Sequence, residues 1–128
     1  MKAAHKVVLT VFAKEDENIE KVKQALISLV PLDLEAEKIK IQQQTATGFE
    51  EKQIKIYKII LEKTRHANEF VKSLIRKLTK EQKELLLRQA ESRLDEELFF
   101  YIRLDKTQLL EKNEYYITDS GDCFHIKI

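Results

Sequence analysis

Lys63-Thr64-Arg65-His66 stands where the chain changes from two-residue to helical periodicity, and basic groups at such a corner have a definite chemistry. A helix start leaves backbone N–H groups unpaired and carries the positive end of the helix dipole, so it attracts phosphate. An arginine there adds a fork of donors that matches phosphate oxygens. Lys63, Arg65, His66, Lys72, Arg76 and Lys77 all fall on or beside this helix. The competing interpretation is an ordinary solvated helix face, which the residue pattern alone favours.

Other chemistries are poorly provided for. With only 2 glycines, and no phosphate-binding loop, G-x-G-x-x-G, G-x-S-x-G or H-E-x-x-H, the chain cannot build a glycine-rich nucleotide cradle or a familiar hydrolytic motif. No cofactor is expected. Cys123 and His125 share a strand face and could start a metal site with His5 or His66, but a lone Cys and His more often pack or sit at the surface. Asp95, Glu96, Glu97, Asp105, Asp119 and Asp122 fall at element ends, where acids could hold magnesium for phosphodiester cleavage. Acids at such places more commonly cap helices and fix turns.

The elements that must position these groups can be read from periodicity. Lys6 to Ala13 is apolar on both faces, as in a central strand. Asp16 is placed to cap a helix with the stripe Ile19, Val22, Leu26 and Leu29, stopped by Pro31. Ile39 and Ile41 begin an extended run that pairs, across a loop at Gly48, with Ile54 to Leu61. The loop, Thr45 to Gln53, is expected to be the most mobile internal segment. Ala67, Phe70, Val71, Leu74, Ile75 and Leu78 then recur at helical spacing. Thr79-Lys80-Glu81-Gln82 has the form of a capping box opening a further helix through Leu86, Leu87, Ala90 and Leu94.

Leu98 to Leu104 gives the strongest strand signal and is expected inside the sheet. Arg103, its lone charge, should then be partly buried and paired with Asp95, Asp105 or Asp119, because an unpaired cation in a sheet is costly. Asp105 to Leu110 is expected as a short capped turn. Tyr115 to Ile117 and Phe124 to Ile128 are expected as a closing hairpin around Asp119-Ser120-Gly121-Asp122. The order β-α-β-β-α-α-β-β-β describes an α+β, two-layer sandwich, with a mostly antiparallel sheet and helices on one face.

At 128 residues the chain is expected to form one domain spanning residues 1–128. Hydrophobic residues at 43% and charged residues at 35% argue against disorder, and no apolar run approaches the roughly 20 residues of a membrane span. The start runs directly into Val7-Val8-Leu9 without a signal-like apolar region, and Cys123 has no internal disulfide partner. A cytoplasmic location and no membrane association are therefore expected. Because 23 Lys and Arg nearly cancel 22 Asp and Glu, any nucleic-acid site must be a local patch.

Arg65-His66, Ser92-Arg93-Leu94-Asp95-Glu96-Glu97, Arg103-Leu104-Asp105-Lys106 and Ser120-Gly121-Asp122, in this order, resemble an archaeal family of predicted exosome subunits or RNA-binding proteins. The likeness runs from His5 to Ile128. It implies a sandwich similar to the large-subunit ribosomal protein that binds the smallest ribosomal RNA. It also implies binding of structured or ribosomal RNA without catalysis, as an accessory of RNA processing or the exosome. Carried onto this chain, Arg65 and His66 are the matched basic pair, Arg93 and Arg103 supply further cations, and Lys106 follows the strongest strand. With the exposed helix cations, the expected RNA-binding set is Lys63, Arg65, His66, Lys72, Arg76, Arg93 and Lys106. A scaffold or homodimer joined through an edge strand or the Tyr101, Tyr115 and Tyr116 surface is the interaction alternative, and a carboxylate-metal nuclease the enzymatic one.

Overall fold

The computed structural model describes residues 5–48, 52–97, 99–119 and 121–128. Along these the chain forms β1 (Val7–Ala13), α1 (Ile19–Ser28), β2 (Ile41–Thr47), β3 (Gln53–Leu61), α2 (Thr64–Lys77), α3 (Lys80–Arg88), α4 (Ala90–Arg93), β4 (Tyr101–Asp105), α5 (Lys106–Lys112) and β5 (Cys123–Lys127). The strands make one antiparallel sheet in the order β2-β3-β1-β5-β4, so β1 holds the central place that its two-sided apolar pattern implies.

Strand alternation divides the sheet into two unlike faces. Val7, Leu9, Val11 and Ala13 of β1, Tyr57, Ile59 and Leu61 of β3, Ile102 and Leu104 of β4, and Phe124 and Ile126 of β5 are all buried. They form one core with Val22 and Leu26 of α1, Ala67, Phe70 and Leu74 of α2, and Leu109 of α5. The architecture is therefore the expected α+β sandwich with helices on one face. On the other face, Val8, Thr10, Ile56, Lys58, Tyr101, Arg103, Cys123, His125 and Lys127 are only half-buried and Phe12 is 52% exposed. Among the described residues no second layer covers that face.

Local chemistry corrects several boundaries. Asn18, not Asp16, caps α1, its side chain accepting from the Lys21 N–H at 3.2 Å. Thr79 caps α3 as expected, but the Gln82 carboxamide does not close the box and instead accepts from the Ile117 N–H at 2.8 Å. The helix expected through Leu94 breaks at Gln89, with Leu87 77% and Leu94 43% exposed, so α3 meets the core only through half-buried Leu85 and Leu86. Asp105 caps a true helix, α5, rather than a turn. Thr45 to Thr47 pair with β3, so the β2–β3 connection is shorter than expected. Part of the expected mobile loop, residues 49–51, lies outside the described residues, as does Leu98.

Strand β4 is an edge rather than an interior strand. Its aromatic and branched residues are accommodated because the neighbouring chain shields its free side. The Asp105 N–H donates to the Tyr116 carbonyl and the Thr118 N–H to the Arg103 carbonyl, at 2.8 and 2.9 Å. Tyr115 to Ile117 therefore supplies an isolated bridge, Leu104 to Ile117, instead of the expected hairpin strand. Such cover protects an edge that would otherwise pair with other chains.

Candidate nucleic-acid interface

The basic corner forms as its periodicity predicts, with Arg65 and His66 in the first turn of α2 and no side-chain cap on Lys63. What the spacing does not reveal is an acid brought from far away. Residues 33–38 form a tight turn in which the Glu37 N–H donates to the Asp33 carbonyl and the Ile39 N–H to that of Leu34, with Lys38 left-handed at φ 56°. This turn presents Glu37 to α2. Arg65 Nη2 and Nη1 lie 2.7 and 3.3 Å from the two Glu37 carboxylate oxygens, a fork-on-fork pair.

His66 Nε2 lies 3.3 Å from Glu37 Oε2 and 3.2 Å from Arg65 Nη2, so it donates to the acid or accepts from the guanidinium according to its tautomer. The hydrogen bonds from Arg65 and then His66 hold the Glu37 carboxyl below its ordinary value, and the same contact raises Arg65. His66 itself is 2% exposed. Lys63, Lys72 and Arg76 are exposed, and none is in an ion pair with a described residue.

Two other expected cations are enclosed. Arg93 is 6% exposed. Its Nη2 lies 2.6 Å from the Gln89 side-chain oxygen and 3.1 Å from Asp119 Oδ1, and its Nη1 donates to the Tyr101 carbonyl at 3.3 Å. It ties α4 to the start of β4. Lys106 is 3% exposed, donating to the Phe12 carbonyl and meeting Glu17 and Asp122 carboxylates at 3.1 and 2.9 Å. A buried lysine is tolerated when its donors are all taken, and here it joins the end of β1 to the start of α5 and the turn before β5.

The helix-free face carries a different set of cations. Strand register sets Lys58 beside Thr10, Thr10 beside His125 and His125 beside Arg103, one row across β3, β1, β5 and β4. Lys127 stands next to Tyr101 in the adjoining row, its ammonium 4.1 Å from the Phe99 ring centre and 6.0 Å from that of Tyr101. The Tyr101 and His125 rings lie 5.6 Å apart, tilted by 56°.

Arg103 is half-buried, as expected, but it meets none of its expected acids. Asp119 is taken by Arg93, Asp105 caps α5 through the Gln108 N–H, and Asp95 accepts from two backbone N–H groups and the Tyr101 hydroxyl. The side chain of Arg103 lies on the uncovered face beside His125 in the strand register, with no carboxylate in ion-pair distance among the described residues. Desolvation first, and the Arg103 charge second, push His125 below its ordinary value.

Beside this row, Thr10, Phe12, Cys123, His125, Gly121 and Asp122 line an open groove of about 370 Å³. A second recess of about 270 Å³, lined by Lys38, Lys40, Gln42, Ile60, Lys63 and His66 among others, connects the far end of the same face to the α2 corner. Strand parity, combined with the knowledge of which face the helices cover, would have placed Lys58, Arg103 and Lys127 on one face. Single-strand patterns do not supply the cross-strand register.

The acids considered as a magnesium site do not converge. Among the described residues no group of three or more His, Cys, Asp or Glu is arranged to hold a metal ion. Asp95, Asp105, Asp119 and Asp122 each serve a separate cap or ion pair. Among the described residues, no helix is long and apolar enough to cross a membrane.

A family described as RNA binding matches residues 6–128. The RNA-binding protein PAB1135 of Pyrococcus abyssi is 28% identical over 125 residues, 98% of this chain and 80% of that protein. Among solved structures, the DUF54 protein AF2318 from Archaeglobus fulgidus superposes with a TM-score of 0.82 at 28% identity, over 96% of this chain and 84% of that one. SSO0741 from Sulfolobus solfataricus, also DUF54, shares the fold at a TM-score of 0.79 and 22% identity, over 96% and 85%.

Proposed function

The chain belongs to this RNA-binding family, and on that premise we propose that it is a non-catalytic RNA-binding protein whose main contact surface is the uncovered face of the sheet. One observation carries the choice of surface. Lys58, Arg103 and Lys127 on that face have no carboxylate within ion-pair distance among the described residues and stand beside an open groove, whereas Arg65, Arg93 and Lys106 of the expected set each have at least one. A cation already paired has little to gain from a phosphate, while an unpaired one releases the counterions of the nucleic acid on contact. Lys63, Lys72 and Arg76 extend the positive surface along α2, and the recess at Gln42 and Lys63 joins the two regions.

The finer role is an accessory that brings RNA, structured or ribosomal, to a processing assembly such as the exosome in the cytoplasm. That role is supported by the family resemblance of the Arg65-His66, Ser92 to Glu97, Arg103 to Lys106 and Ser120 to Asp122 segments. A homodimer is a second reading, favoured by β2, an edge strand on which Gln42, Gln43, Gln44 and Thr45 are all exposed.

Electrophoretic mobility with total cellular RNA tests the main reading. Wild type should retard RNA with an affinity that falls steeply as salt rises, and Lys58→Glu with Arg103→Glu should abolish the shift. Absence of any shift at low salt would remove RNA binding from the account.

A further inference from the structure

The uncovered face contains more than charge. Phosphate recognition alone needs cations, yet the groove of about 370 Å³ is lined by two rings, Phe12 and His125, together with Thr10 and Cys123. Phe12 is the residue of β1 with the clearest anomaly, a phenyl ring 52% exposed in the central strand of the sheet. A large apolar ring left in water on a charged face calls for a partner with a flat apolar surface of its own. Lys58 and Arg103 stand on opposite sides of this groove in the Lys58–Thr10–His125–Arg103 row, three strand spacings or about 14 Å apart at the backbone. An occupant of the groove would thus carry an apolar plane in the middle and negative charge on both flanks.

We propose that the Phe12–His125 groove receives an unpaired nucleobase, with the neighbouring phosphates of the same strand lying toward Lys58 and Arg103, so that the RNA bound by this face is single-stranded or a splayed loop. The inference rests on the RNA-binding reading above and adds its substrate class. Bases in a duplex are stacked on each other and present only edges and backbone, so they cannot enter such a groove. Unpaired bases can, and aromatic side chains on an open sheet are a recurring means of holding them. His125 suits the role because its planar imidazole ring offers a face for stacking. The acid that lines the groove, Asp122, is occupied by Lys106 at 2.9 Å and Lys14 at 3.4 Å. Cys123 adds small apolar contact area; burial pushes its thiol up, which favours the uncharged form.

The test compares a mixed-sequence single-stranded RNA oligonucleotide with the same sequence annealed as a blunt duplex, by fluorescence anisotropy at fixed salt. Wild type should bind the single strand at least tenfold more tightly. Phe12→Ala should weaken single-strand binding about tenfold, as expected for one lost stacking contact, while leaving the salt slope and the duplex affinity unchanged. His125→Ala should act in the same direction and His125→Phe should restore binding. Because Phe12 is half exposed, its removal leaves the core intact. Equal or tighter duplex binding, or a Phe12→Ala protein with wild-type affinity, would overturn the groove assignment while leaving RNA binding in place. Conversion of a dimer to a monomer by Phe12→Ala without change in RNA affinity would overturn it in favour of a second copy of this chain. Failure of wild type to bind either RNA would instead defeat the underlying reading.

Discussion

Lys106 and Arg103 lie only three positions apart, yet the fold uses their charges in opposite ways. Lys106 points inward, is 3% exposed and has every donor engaged by Phe12, Glu17 and Asp122. Arg103 follows the strand alternation onto the uncovered face and meets no carboxylate among the described residues. The same contrast separates Arg93, clamped to Gln89, Tyr101 and Asp119, from Lys58 and Lys127. Charge near the surface is therefore of two kinds: cations whose energy is already realised inside the fold, and cations whose energy is available to a ligand.

Stability experiments should show the largest difference. Lys106→Met removes the cation that neutralises Glu17 and Asp122 and leaves the Phe12 carbonyl without its donor. Because Asp122 is 37% exposed and can regain water, the cost should sit at the low end for a broken buried pair, roughly 3 kcal/mol. Arg103→Met should cost under about 0.5 kcal/mol, as for a surface change with no partner lost. Urea unfolding of the two variants checks this, and equal losses would break the comparison.

RNA affinity should divide them the other way. Arg103→Glu should lower affinity roughly tenfold at moderate salt, about 1.4 kcal/mol, since it removes a phosphate contact and adds repulsion. Filter binding at a temperature where the variant is fully folded is the measurement. Arg65→Ala should change affinity less, because its guanidinium is shared with Glu37 in the free protein.

The Glu37 clasp allows the comparison to be tuned by pH, with the smallest effect of the series. The folded value of Glu37 is depressed below its ordinary 4.5, so the clasp contributes stability that is complete above that pH and is lost as pH falls through the folded value. The melting temperature of wild type should decline on acidification below about pH 4.5, and Glu37→Gln should show a shallower decline over the same window. Parallel curves would mean that Arg65 and His66 gain nothing from the acid.

Much of this was legible in the chain because it depends on short-range pattern. Alternation located β1 and the β2–β3 pair, and helical spacing located α1 and the core side of α2. The basic corner at Arg65-His66 was legible for the same reason. Its acid was not, since Glu37 lies 28 residues from Arg65 and arrives only through the turn at Lys38. The apolar run ending at Leu104 implied an interior strand, but whether a strand is central or an edge depends on which segments shield it, here Tyr116 and Thr118. Arg103 was recognised as unusual, but Asp119 belongs to Arg93, a choice fixed by the packing of α4 against β4 and not by sequence distance. The uncovered face is a property of five strands in register, which no one segment encodes.

The most direct test of the uncovered sheet face as the main contact surface is the salt dependence of RNA affinity in two multiple variants. For Lys58→Ala with Arg103→Ala on the sheet, the slope of log affinity against log salt should fall by about two units, close to one for each phosphate contact. For Lys63→Ala, Lys72→Ala and Arg76→Ala on α2, it should fall by less than about one unit despite the loss of three charges. A larger drop in the helix triple variant than in the sheet double variant would contradict the account and return the interface to the α2 corner.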